Sequence, residues 1–117
     1  MLNNLAKEIH VENVEAGWWH NIETGERLNR NMGELLCLVH SEISEAMEGH
    51  RKNLMDDKLP FRKMFEVELA DAFIRLLDIA GANNLDLDGA IREKREYNLT
   101  RKDHKKEHRL QDGGKKY

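Results

Sequence analysis

The stretch NMGELLCLVHSEISEAMEGHRK, residues 31–52, decides the fold. Leu35, Leu36, Val39, Ile43, Ala46 and Met47 recur at the three- and four-residue spacing of one helical face, and Glu42 and Glu45 lie to one side of that stripe. A helix is expected from about Asn31 to Lys52. A second such stretch runs from about Phe61 to Ala82, with Phe65, Leu69, Ala72, Phe73, Leu76 and Ala80 on the face expected to be buried. Val67 and Ile74 point nearly the opposite way at about 100° per residue. The stripe of Glu68, Asp71, Arg75 and Asp78 therefore has apolar surface on both sides and should be partly buried, as at a subunit interface.

Working outward, Leu2, Leu5, Ile9 and Val11 space as a first helix that Gly17-Trp18-Trp19 should end, and residues 21–31 read as a loop around Thr24-Gly25. The connector from about Asn53 to Pro60 carries Asp56 and Asp57, with Pro60 suited to the first turn of the helix that follows. Gly81 to Asp88 reads as a turn. Asp88 is the expected N-cap of a fourth helix from about Gly89 to Lys106, and residues 107–117, with Gly113-Gly114, are expected to form a flexible tail.

One proline, two Trp, two Tyr and three Phe suit a helical chain better than a sheet. The expectation is one all-α domain over residues 1–117, a bundle of four to five helices whose core is completed by homo-oligomerisation. Cys37 is the only cysteine, so the chain can form no internal disulfide and a reducing, cytoplasmic setting is expected. No apolar run approaches a membrane span, and the first residues lack a signal-peptide core.

Charge is unevenly spread. Residues 34–90 carry 6 Lys and Arg against 12 Asp and Glu, whereas residues 91–117 carry 10 against 5. An acidic centre can hold cations while a basic tail can meet phosphates. The overall charge of −3 makes nucleic acid an unlikely partner.

Glu42 with Glu45 and Glu68 with Asp71 form two i,i+3 pairs on successive helices. Residues three apart lie about one turn from each other, so each pair can offer oxygens to one ion, and antiparallel packing would bring four together. The alternative for any one pair is a solvated acidic face. No Glu is followed by His at i+3, which removes the element expected of di-iron bundles, and an oxygen-only set favours magnesium, with manganese as a substitute. His40, His50, His104 and His108 lack companions at zinc-site spacing, and no phosphate-binding P-loop motif occurs.

These residues resemble the MazG-like all-α nucleotide pyrophosphohydrolases, whose hallmark is Glu-Glu-x-x-Glu on one helix and Glu-x-x-Asp on the next. Ser41-Glu42-Ile43-Ser44-Glu45 and Glu68-Leu69-Ala70-Asp71 stand at those places, with Ser41 departing from the first acidic position. The segment Lys94 to Arg101 resembles the family's Lys-x-x-x-Asn-x-x-Arg signature, and Gly113-Gly114-Lys115 its C-terminal His-Gly-Gly-Lys, with Asp112 in the His place. The style is that of small phage-encoded members. The resemblance implies magnesium-dependent hydrolysis of a nucleoside triphosphate, (d)NTP, to (d)NMP and pyrophosphate.

Glu42, Glu45, Glu68 and Asp71 are then the expected metal ligands, with Glu45 or Glu42 handling the water. Lys94, Tyr97, Asn98, Arg101, Lys115 and Trp18 are the expected substrate contacts. Of the adjacent tryptophans, one can pack while the other offers a surface to a base, with Asn13 and Asn21 as candidate readers of its edge. A purine deoxynucleotide such as dGTP is the expected choice within the class, and a homodimer or homotetramer the expected assembly. The competing reading is a non-catalytic helical module that binds nucleic acid or a protein through its basic C-terminal segment. Another keeps the metal site but cleaves a different phosphoanhydride.

Overall fold

The computed structural model describes residues 1–117, in which α1 spans Leu2–Glu15, α2 Met32–Lys52, α3 Met64–Ala82, α4 Leu87–Thr100 and the one-turn α5 Lys106–Arg109. Lys102–His104 form a 3-10 turn before α5. The protein is all-helical, without strands. No helix is long and apolar enough to cross a membrane. Two compact units divide the chain, Met1–Leu85 and Asp86–Tyr117.

In the first unit, Asn31 caps α2 by accepting the Glu34 backbone N–H on its side-chain oxygen at 3.0 Å, which satisfies a donor that the first turn cannot. α3 packs against both α1 and α2 and is antiparallel to each. Asn83, just past the end of α3, reaches Met32 at the start of α2, whereas Gly49 near the end of α2 faces Met64. On the other side, Gly81 lets α1 approach: a Cβ there would stand 2.5 Å from the Ala6 carbonyl oxygen. The core centres on Trp19, Leu35 and Ile79, with Val14, Met32, Val39 and Ala82 around them.

The third helix starts at Met64, not near Phe61. Asp56 explains the difference. Its buried carboxylate accepts the backbone N–H groups of Lys58 and Leu59, and the Asp56 N–H donates to the Arg62 carbonyl. Met64 then donates to the Leu54 carbonyl, so residues 62–64 are drawn back against 54–56 before the chain can coil, and Pro60 sits in the intervening turn.

The apolar faces also divide differently from expectation. Ala72 and Ala80 of α3 are buried and Leu69 is half-buried, but Phe65, Phe73 and Leu76 are exposed, as are Leu36, Ile43 and Met47 of α2. Leu77, Asp78 and Ile79 are buried instead, because the neighbours of α3 cover that sector and leave the phenylalanines uncovered in a single chain.

In the second unit, Asp86 and not Asp88 caps α4, accepting the Gly89 N–H at 2.9 Å. The helix stops at Thr100 and does not continue to Lys106. Its last hydroxyl donates to the Tyr97 carbonyl, and Arg101 turns extended with its guanidinium on Asp103. At the end of α5, the Arg109 side chain donates to the carbonyls of Lys115 and Lys116 at 3.0 and 2.8 Å, folding the last residues back.

Candidate functional site

Antiparallel packing of α2 on α3 brings three of the four expected ligands together. Carboxylate oxygens of Glu42, Glu68 and Asp71 lie within 4.8 Å of one another. Glu42 is buried, Glu68 and Asp71 are half-buried, and Glu45 is exposed nearby, outside that group of three. Arg75 Nε donates to Glu42 Oε1 at 2.8 Å, a counter-charge to which sequence reasoning gave no role. Ser41 at the departing position donates its hydroxyl to the Leu38 carbonyl of its own helix at 2.6 Å.

Burial and mutual crowding set the protonation of Glu68 and Glu42. Burial, hydrogen bonding with Glu42, and the charges of Glu45 and Asp71 push Glu68 up to about 8. Burial would raise Glu42 as well, but its hydrogen bonds to Arg75 and Glu68 outweigh burial and bring it below the usual carboxylate range. Without a cation, a shared proton and Arg75 therefore supply the missing positive charge.

A pH dependence follows. The folded value of Glu68 lies above its ordinary 4.5, so folding takes up a proton between about 4.5 and about 8. The stability this gives is full below 4.5 and is lost as pH rises through about 8. Thermal unfolding of metal-free protein should show Tm falling across that window, and saturating magnesium should remove most of the fall, because the ion replaces the proton.

Beside the cluster opens a cavity of about 410 Å³, within the range of small-molecule sites. Glu42 and Asp71 line it together with Asp78, Asn13, Trp18 and Arg30. Trp18 is 65% exposed while Trp19 is 4% exposed, so the two adjacent indoles divide between surface and core. Asn13 lines the cavity, whereas the Asn21 side-chain oxygen is engaged by the Glu23 and Thr24 N–H groups, which makes it a turn residue.

In the second unit, Lys94 Nζ stands 4.9 Å from the centre of the Tyr97 ring and the Arg101 guanidinium 5.9 Å from it. Asn98 Oδ1 lies 3.5 Å from Arg101. Arg101 grips Asp103 at 3.0 and 2.7 Å, and Lys115 reaches the same carboxylate at 3.1 Å. Hydrogen bonds from Arg101 and then Lys115 hold Asp103 far below the usual carboxylate range. Two of the residues expected to meet substrate in this unit, Arg101 and Lys115, thus hold an acidic residue that sequence reasoning passed over.

Four further residues were missed. Arg75 and Asp78 follow Asp71 at i+4 and i+7 and were grouped with it in one stripe, but were given no part in the site. Asp103 lies only two positions from Arg101. Arg30 comes from an irregular loop and carries no local signal.

Compared with family models, with curated proteins and with solved structures, the chain matches none.

Proposed function

We propose that this protein is a magnesium-dependent nucleoside triphosphate pyrophosphohydrolase, converting a (d)NTP and water to the monophosphate and pyrophosphate. The observation that carries the reading is the convergence of Glu42, Glu68 and Asp71, two of which, Glu42 and Asp71, line a cavity that an exposed tryptophan also lines. The donor set fits a hard divalent cation, since it is made of carboxylate oxygens without His or Cys. A cation bound by Glu42, Glu68 and Asp71 would neutralise charge on the phosphate oxygens.

The remaining work falls to the protein's own side chains. Glu45 is exposed beside the cluster, where it can orient a water and accept its proton. Arg75 holds Glu42 in place. Trp18 offers its face to the base. Taken by itself, the second unit carries Lys94, Arg101 and Lys115, cations of the kind that meet phosphate oxygens.

Asp103 tempers that row, so Asp103→Asn should strengthen binding of tripolyphosphate. The gain expected is about two- to fivefold, the scale of a solvent-exposed ion pair, and it should shrink with added salt. Isothermal titration at two ionic strengths measures it.

Exposure of Phe65, Phe73 and Leu76 on α3 and of Ile43 and Met47 on α2 supports a second copy as the cover of these side chains, in a homodimer or homotetramer. Sedimentation equilibrium should give at least twice the 13.7 kDa of one chain. A single-chain mass at micromolar concentration would contradict that assembly.

The reaction is tested by pyrophosphate release from a panel of NTPs and dNTPs with and without magnesium. Release that requires the metal supports the hydrolase. Absence of release from every nucleotide, with salt-sensitive binding of RNA, DNA or a protein through the basic segment, would favour the non-catalytic module instead.

A further inference from the structure

Arg75 stands at the carboxylate cluster with most of its donors unused. Its Nε–H donates to Glu42 Oε1 at 2.8 Å, and that is the only hydrogen bond the side chain makes. A guanidinium spreads its N–H donors over a planar fork, so both terminal nitrogens remain without an acceptor. Arg101 makes the contrast: it grips Asp103 at two points, through Nε at 3.0 Å and a terminal nitrogen at 2.7 Å, as an arginine does when its task is to neutralise one carboxylate. Arg75 uses one point. Its side chain keeps 41% of its exposure and lines the cavity that Glu42 and Asp71 also line.

We propose that Arg75 contacts the substrate, gripping the polyphosphate with its two terminal nitrogens while Nε stays on Glu42, an inference that rests on the cavity being the nucleotide site proposed above. The terminal pair of a guanidinium matches two oxygens of one phosphate, and such charge-assisted pairs are the strong ones. Position agrees. Arg75 follows Asp71 by four residues on α3, one turn on and about 6 Å along the axis. A phosphate at Asp71 is within the span of an arginine one turn away.

Charge calls for the same contact. Three ionised carboxylates exceed the charge of one divalent cation, so the cluster with its cation would still repel a triphosphate. Arg75 removes that excess. Asp78, a further carboxylate on the cavity wall, adds to the need for it.

Isothermal titration of inorganic tripolyphosphate, with magnesium in excess over protein and anion, reads the contact apart from the chemistry. Arg75→Gln should weaken binding about thirtyfold. Arg75→Lys keeps the charge but not the fork, so it should recover about threefold of that loss and no more. Full recovery in Arg75→Lys, or binding within about twofold of wild type in folded Arg75→Gln, overturns the assignment. Weaker magnesium binding with tripolyphosphate affinity unchanged overturns it too, because Arg75 would then act only through Glu42. Should neither variant fold, phenylglyoxal labelling of wild type, read by mass spectrometry, takes their place. Tripolyphosphate with magnesium should protect Arg75, and equal labelling with and without them overturns the contact. Arg75-dependent binding by a protein that hydrolyses no nucleotide would keep the contact and remove the hydrolase reading. Hydrolysis with tripolyphosphate binding unaffected in Arg75→Gln would do the reverse.

Discussion

Glu68→Gln should abolish nearly all metal-dependent pyrophosphate release, a fall of about three orders of magnitude, equivalent to about 4 kcal/mol of barrier. Gln keeps the volume and one carbonyl oxygen of Glu but loses the charge that a divalent ion needs from it. Glu68 belongs to the group whose oxygens lie within 4.8 Å of one another, and Glu45 lies outside that group. The same substitution should stabilise metal-free protein at about pH 8. Folding of wild type is still linked to proton uptake there, because burial, and after it the crowding by Glu42, Glu45 and Asp71, pushes Glu68 up to about 8, and Gln removes that linkage. Activity and stability are therefore expected to move in opposite directions, which a purely structural residue would not produce. Steady-state kinetics and thermal unfolding on one preparation would show both.

Trp19→Ala should cost about 3–5 kcal/mol of folding stability. Against a total of about 5–15 kcal/mol for an ordinary domain, that is enough to leave a substantial unfolded fraction. The indole is 4% exposed and packs with Leu35 and Ile79 at the centre of the first unit. Its loss opens a cavity and removes the N–H that serves both Asp78 oxygens. Arg27 and Arg30 each stand 5.5 Å from the ring centre and would lose their aromatic partner as well. Trp18→Ala is the informative contrast: the neighbouring indole is 65% exposed, so stability should change by about 0.5 kcal/mol or less while nucleotide binding weakens. Urea unfolding of both variants, followed by circular dichroism, separates these roles.

The helical class was legible in the sequence because it depends on local period. Leu35 and Ala46, Ala72 and Ala80 repeat at helical spacing, and the carboxylates fall on turns that the same period predicts. Where the helices begin and end was less legible, since those points depend on side chains that bind backbone at a distance. Asp56 delays α3 to Met64, and Arg101 with Asp103 ends α4 at Thr100. Which apolar face is buried also escaped local reading, because Phe73 and Ile79 are equally hydrophobic and only the placement of neighbouring helices distinguishes them.

The candidate site follows the same rule. Glu42, Glu68 and Asp71 were visible as spaced carboxylates, and their meeting needed only that α2 and α3 pack together. Asp78 drew attention only as one member of a stripe. Its partners His10 and Trp19 lie 68 and 59 residues away in the chain, beyond any periodic signal.

The most direct measurement is phosphorus NMR of the products formed from dGTP and magnesium. Pyrophosphate and dGMP in equal amounts, absent without metal and absent with Glu68→Gln, is the predicted result. Orthophosphate with dGDP, or intact dGTP in the presence of folded protein and metal, would contradict the proposal that these carboxylates serve hydrolysis between the α and β phosphates.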